Sequence, residues 1–114
     1  MNLIIRKKAT KNDSTRIKIL DIAMNLNRVG NWAADDYGAK KERIKMFLGN
    51  TNGCIQRIDK TTFTESFENT FERFLKEYRK LENEGQKGPK VPLKWAEDMM
   101  TWGNILTHRS RLLL

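Results

Sequence analysis

Apolar residues recur along this chain at intervals of three and four, and strand-like alternation is nearly absent, so the pattern predicts helices. Ile19, Ile22, Ala23, Leu26 and Val29 share one helical face, and Ile17, Leu20 and Met24 lie beside it and widen it. A helix this apolar is expected near the centre of a bundle. Asp13, Ser14 and Thr15 are candidate N-caps for it, because a side-chain oxygen there accepts from the unpaired amides of a first turn. Gly30 and Asn31 tolerate a left-handed cap and are expected to end it.

A second helix is expected from near Trp32, with Tyr37, Ile44, Phe47, Leu48, Ile55 and Ile58 on a common face. The tract Gly49-Asn50-Thr51-Asn52-Gly53 lies inside it. The stripe of 44, 48, 51, 55 and 58 keeps register through the tract, although its residues cost about 2–3 kcal/mol of helix propensity relative to alanine. A continuous or kinked helix is the favoured reading, and a break is the alternative. Asp59 to Thr64 reads as a turn, and Thr62 with Glu65 has the spacing of a capping box. The third helix carries Phe67, Phe71, Phe74, Tyr78 and Leu81 in a heptad-like seam. Asn83 to Lys90 reads as a flexible linker, and Pro92 suits the first turn of a fourth helix with Trp95, Met99, Trp102 and Leu106 on its seam. The terminal Leu112–Leu114 run is expected to dock in a groove. Trp32-Ala33-Ala34-Asp35 and Trp95-Ala96-Glu97-Asp98 echo one another, by a short repeat or by chance.

These elements predict an all-α fold, a compact bundle of four or five helices. The 114 residues make one domain, with a basic N-terminal arm over 1–13 and a linker over 83–91. No apolar run approaches the roughly 18 residues that span a bilayer. Only three consecutive apolar residues, Leu3, Ile4 and Ile5, precede Arg6, Lys7 and Lys8, too few for a signal-peptide core; they could form a short strand or an anchoring contact. A lone Cys54 cannot form an internal disulfide, so a reducing cytoplasm is the expected location.

Charge changes the picture. Lys and Arg number 22 against 14 Asp and Glu, for a net charge of +8. Residues 1–20 carry +5, 21–59 carry +1, 60–84 carry −1 and 85–114 carry +3. Segregation of this kind suits a protein that presents a basic face to a polyanion. Arg6, Lys7, Lys8, Lys11, Arg16 and Lys18 form one basic run; Lys40, Lys41, Arg43 and Lys45 form a second; Arg109 and Arg111 close the chain. All are candidate phosphate contacts, since each phosphate neutralised releases condensed counterions. A solvated face that only confers solubility is the competing reading.

Little else in the chain carries chemistry. Structural zinc needs about four Cys and His ligands, and only Cys54 and His108 are present. Any nucleophile–histidine pair would have to use His108, which reads as a surface residue at a helix end. Gly49 and Gly53 lack the Lys-Ser or Lys-Thr of a phosphate loop. Asp35, Asp36, Glu97 and Asp98 could meet around a divalent ion if the two tryptophan helices pack side by side; pairing with nearby Lys and Arg is the favoured reading. The aromatics read as core, with Trp32 the leading candidate for an exposed ring.

The reading that follows is a non-catalytic subunit that contacts the RNA or DNA backbone without reading sequence. It is expected to work with other protein subunits and to need no cofactor, membrane or small-molecule substrate. A protein–protein adaptor using the leucine tail is the alternative, followed by a metal-dependent nuclease. In size, helical content and basic charge the whole chain resembles the small α-helical subunits of CRISPR effector complexes. That resemblance implies packing along a guide or target strand with a positive surface toward its backbone. Pentameric helical-bundle accessory proteins of reverse transcriptases fit the same general description.

Overall fold

Long helical stretches with one apolar face can be buried only against one another, and the computed structural model shows how this chain does so. It describes residues 11–113, with side chains from Ser14 onward. Three helices, α1 (Lys11–Gln56), α2 (Glu65–Lys87) and α3 (Pro92–Arg109), are joined or followed by short 3-10 turns at Lys60–Thr62 and Ser110–Leu113. The fold is all-α, with three helices rather than the four or five expected.

The shortfall in helix number arises in α1. The chain stays helical through Gly30-Asn31, where an end was expected, and through Gly49–Gly53, as favoured. A straight helix of 46 residues would be about 69 Å long, yet the molecule measures 57 × 28 × 21 Å. The helix is bent at Asp36, whose extended backbone (φ −163°, ψ 90°) divides it into arms at 11–35 and 37–56. Asp36 Oδ1 accepts from the Ala39 amide at 3.0 Å, so Asp36 is the N-cap of the second arm. The arms fold back as a hairpin. Trp32 packs edge-on against Phe47 with centroids 4.9 Å apart, Arg28 reaches the Phe47 ring, and Arg43 lies over Trp32. The facing pairs centre on residues 37–40, close to the bend.

Gly30 persists in the helix because a neighbouring backbone occupies the space of a side chain. A Cβ there would lie 2.4 Å from Met100 Cγ and 2.9 Å from the Ala96 carbonyl oxygen. Gly103 reciprocates, its absent Cβ falling 2.6 Å from Asn27 Oδ1 and 3.0 Å from the Ala23 carbonyl oxygen. These two glycines let α3 lie antiparallel and close against the first arm.

α2 begins at an N-cap two residues beyond the expected one: the Thr64 hydroxyl accepts from the Phe67 amide at 3.3 Å, while Thr62 Oγ1 donates to the Asp59 carbonyl. Phe67, Phe71, Phe74, Tyr78 and Leu81 are all buried, as their spacing predicts. α2 then runs on to Lys87, so most of the expected linker is helix. Polar bridges tie the elements: Tyr37 Oη donates to the Gly85 carbonyl at 2.6 Å, Trp95 Nε1 to the Leu81 carbonyl at 2.8 Å, and Asn52 to Glu82 at 2.6 Å. Both tyrosines ionise above their ordinary range because burial disfavours the phenolate. The result is an up-down-up-down arrangement of four helical arms. One end holds the Asp36 bend. The other, here the open end, gathers the start of α1, both 3-10 turns, the start of α2 and the end of α3.

Three further expectations change. α1 is already helical at Lys11, so residues 11–13 are not an extended arm, and Thr15 pairs with the Thr62 hydroxyl at 2.7 Å instead of capping. Ile17 and Met24 are 55% and 47% exposed; they flank the apolar face without widening it, because the first arm is buried along a single face. Leu113 is fully buried and the Leu112 carbonyl accepts from Thr64, so the tail docks as expected, but within its own chain. The short strand or anchor at Leu3–Ile5 falls outside the described residues.

Candidate nucleic-acid interface

Bending α1 into a hairpin decides where its cations go. Arg6, Lys7 and Lys8 lie outside the described residues, as does the side chain of Lys11. Arg16 is half-buried with its Nε enclosed, and Lys18 lines a shallow depression with Asp21, Cys54 and Arg57. The run Lys40, Lys41, Arg43 and Lys45 sits near the bend, at the opposite end. Lys41 and Arg57, sixteen residues apart on one arm, are about 24 Å apart along it. The expected cations whose side chains are described therefore do not merge into one surface.

Those at the bend are largely engaged. Lys40 is half-buried and forms a salt bridge with Asp35. The Lys40 hydrogen bond, and then its charge, hold the Asp35 carboxyl below the usual carboxylate range. The Arg43 guanidinium lies 5.1 Å from the Trp32 ring centroid, within cation–π range. Lys45 is half-buried, leaving Lys41 the fully exposed lysine of the run. A solvent-facing cluster was expected; Lys41 and Arg43 are exposed, whereas packing of the two arms half-buries Lys40 and Lys45.

Three of the four acids in the doublets are engaged in the same way. Asp35 pairs with Lys40, Asp36 caps the second arm, and Asp98 accepts from Lys94 at 2.7 and 2.9 Å. That bond raises the lysine's affinity for its proton. Among the described residues no group of three or more His, Cys, Asp or Glu side chains is placed to hold a metal ion.

A different cationic surface forms at the open end, on α2 and α3. Lys60, Arg73, Lys76 and Arg79 line a groove with Leu75 and a single carboxylate, Glu72. Lys60 stands 3.9 Å from Glu72, so that acid is partly neutralised. Arg73, Lys76 and Arg79 are exposed and form no salt bridge among the described residues. Arg73 also lines a second cavity, of about 350 Å³, with Trp102, Ile105, His108 and Arg109. Arg73 thus joins a groove on α2 to a cavity between α2 and α3. His108 is exposed near a helix end, as expected; Trp32 and Trp102 are both half-exposed, and Trp102 lines this cavity.

Of the eight cations named from the sequence whose side chains are described, only Arg109 lines this surface. Lys60, Arg73, Lys76 and Arg79 were passed over because residues 60–84 are net acidic when counted as a block. The helical repeat carries part of the missing signal: Lys76 and Arg79 fall on one stripe with Arg73 beside it, although Glu68 and Glu72 share that stripe. No helix among the described residues is long and apolar enough to cross a membrane. No protein-family model, curated protein or solved structure matches this chain.

Proposed function

We propose that the protein is a non-catalytic nucleic-acid-binding subunit that grips the sugar-phosphate backbone through the α2–α3 face at its open end. One observation carries the reading: Arg73, Lys76 and Arg79 lie exposed along a groove, without salt bridges among the described residues, and Arg73 connects them to Arg109 and His108. Isolated surface cations are common. A row of three on adjacent turns beside Arg109 from another helix is a track on which successive phosphates can sit.

Guanidinium groups suit that task, because their planar forks bind phosphate oxygens in pairs. The track offers charge and few base-reading groups, so affinity without sequence preference is expected. The role fits a subunit of a ribonucleoprotein or DNA-processing assembly, such as the small helical subunits of CRISPR complexes that the chain resembles. Filter binding to single- and double-stranded DNA and RNA at two salt concentrations tests it. Binding that weakens steeply with salt, and that is lost in the triple variant Arg73→Gln, Lys76→Gln, Arg79→Gln, supports the track. Salt-independent binding, or none to any of the four polymers, removes it.

A further inference from the structure

The cavity between α2 and α3 is more than an extension of the track. Two guanidinium groups, Arg73 and Arg109, and the His108 imidazole stand at its polar side, and Trp102 and Ile105 form an apolar wall. No carboxylate lines it among the described residues. The Trp102 ring meets Phe74 edge-on at 5.8 Å between centroids; it is half-exposed and lines both this cavity and a neighbouring depression with Glu77, Lys94 and Asp98. An inorganic anion would use the cations and leave the indole without a partner. A nucleoside phosphate uses both, because each base offers a ring face to stack while its phosphate accepts hydrogen bonds. A volume of about 350 Å³ lies within the range that takes a small organic ligand.

We infer that this cavity receives one unpaired nucleotide of a bound strand, with its phosphate on Arg73 and Arg109 and its base against Trp102. The inference rests on the backbone-binding reading above and adds a preference to it: single strands over duplexes, since a paired base cannot leave its stack without an energetic cost. The end of α3 lies close by, and its dipole opposes an anion. Two charge-assisted hydrogen bonds from guanidinium groups outweigh that effect.

The test compares a ten-residue oligothymidylate with a duplex of equal length and with thymidine monophosphate. The wild-type protein is expected to bind the single strand more tightly than the duplex, and at least a hundredfold more tightly than the mononucleotide. Trp102→Leu keeps an apolar side chain against Phe74 while removing the stacking face; it should weaken single-strand binding about tenfold and leave duplex binding unchanged. Should that variant fail to fold, quenching of tryptophan fluorescence by the single strand in Trp32→Phe, where Trp95 is buried, reads the same contact. Duplex binding that persists while Trp102→Leu is silent, or while the fluorescence is unquenched, overturns the nucleotide site and leaves the backbone track standing. Equal affinity for strand and mononucleotide overturns the assignment to a strand. Binding to neither polymer removes both readings.

Discussion

At the bend of the hairpin four cations fall within six residues, Lys40, Lys41, Arg43 and Lys45, whereas on the α2–α3 face Lys60, Arg73, Lys76, Arg79 and Arg109 come from three elements spread over fifty residues. The dense run looks like the binding site in one dimension. In three dimensions two of the four help hold the turn: Lys40 pairs with Asp35 and Arg43 covers Trp32. The dispersed set has less competing work and faces a groove and a cavity. Density along a chain measures how many charges are present. Availability depends on what packs beside them.

The comparison breaks most directly with two triple variants that remove the same charge. Arg73→Gln, Lys76→Gln, Arg79→Gln should lower affinity for a single strand more than about tenfold and make the salt dependence shallower by about two units of log–log slope. Lys41→Gln, Arg43→Gln, Lys45→Gln should lower it less than about threefold. Equal losses by filter binding would mean that net charge alone governs binding and that the track has no special place.

Stability should divide the regions the other way. Asp36→Ala removes the cap that starts the second arm and should cost about 1 kcal/mol, read from urea denaturation, with strand affinity retained. Arg43→Ala should cost about 0.5–1 kcal/mol through loss of its contact with Trp32, whereas Arg73→Ala should stay within about 0.5 kcal/mol of the wild type. A larger loss in Arg73→Ala would show that the face is structural as well.

The smallest effect is in pH. Asp35 keeps a carboxyl held below the usual range by Lys40. Its contribution is present above the unfolded carboxylate value near 4 and is lost as pH falls through the lower folded value. Acid unfolding followed by circular dichroism should therefore begin at slightly higher pH in Lys40→Gln than in the wild type. Coincident curves would show that the Asp35–Lys40 pair contributes nothing measurable.

Much of the helical content was legible, because an apolar face repeats every three to four residues wherever a helix must be buried. Phe67 to Leu81 and Trp95 to Leu106 show it most clearly, and the buried side chains follow it. Element ends were less legible. Gly30 reads as a stop, yet it lies inside α1 because the backbone at Ala96 approaches it, a contact 66 residues away in sequence. Asp36 reads as half of an acidic doublet, yet its carboxylate caps an arm. The candidate site was legible only at Arg109 and in the general excess of charge.

What the sequence determined by itself is an all-α chain with a strong positive balance and the core faces of its helices, since these depend on local periodicity and composition. The tertiary structure decided that one long helix folds back at a single residue, that two cations of the densest run help hold a turn, and that Arg73 meets Arg109 and Trp102 at one cavity. Those outcomes depend on which arms pack together, and contacts between arms join residues tens of positions apart that no local pattern brings into register.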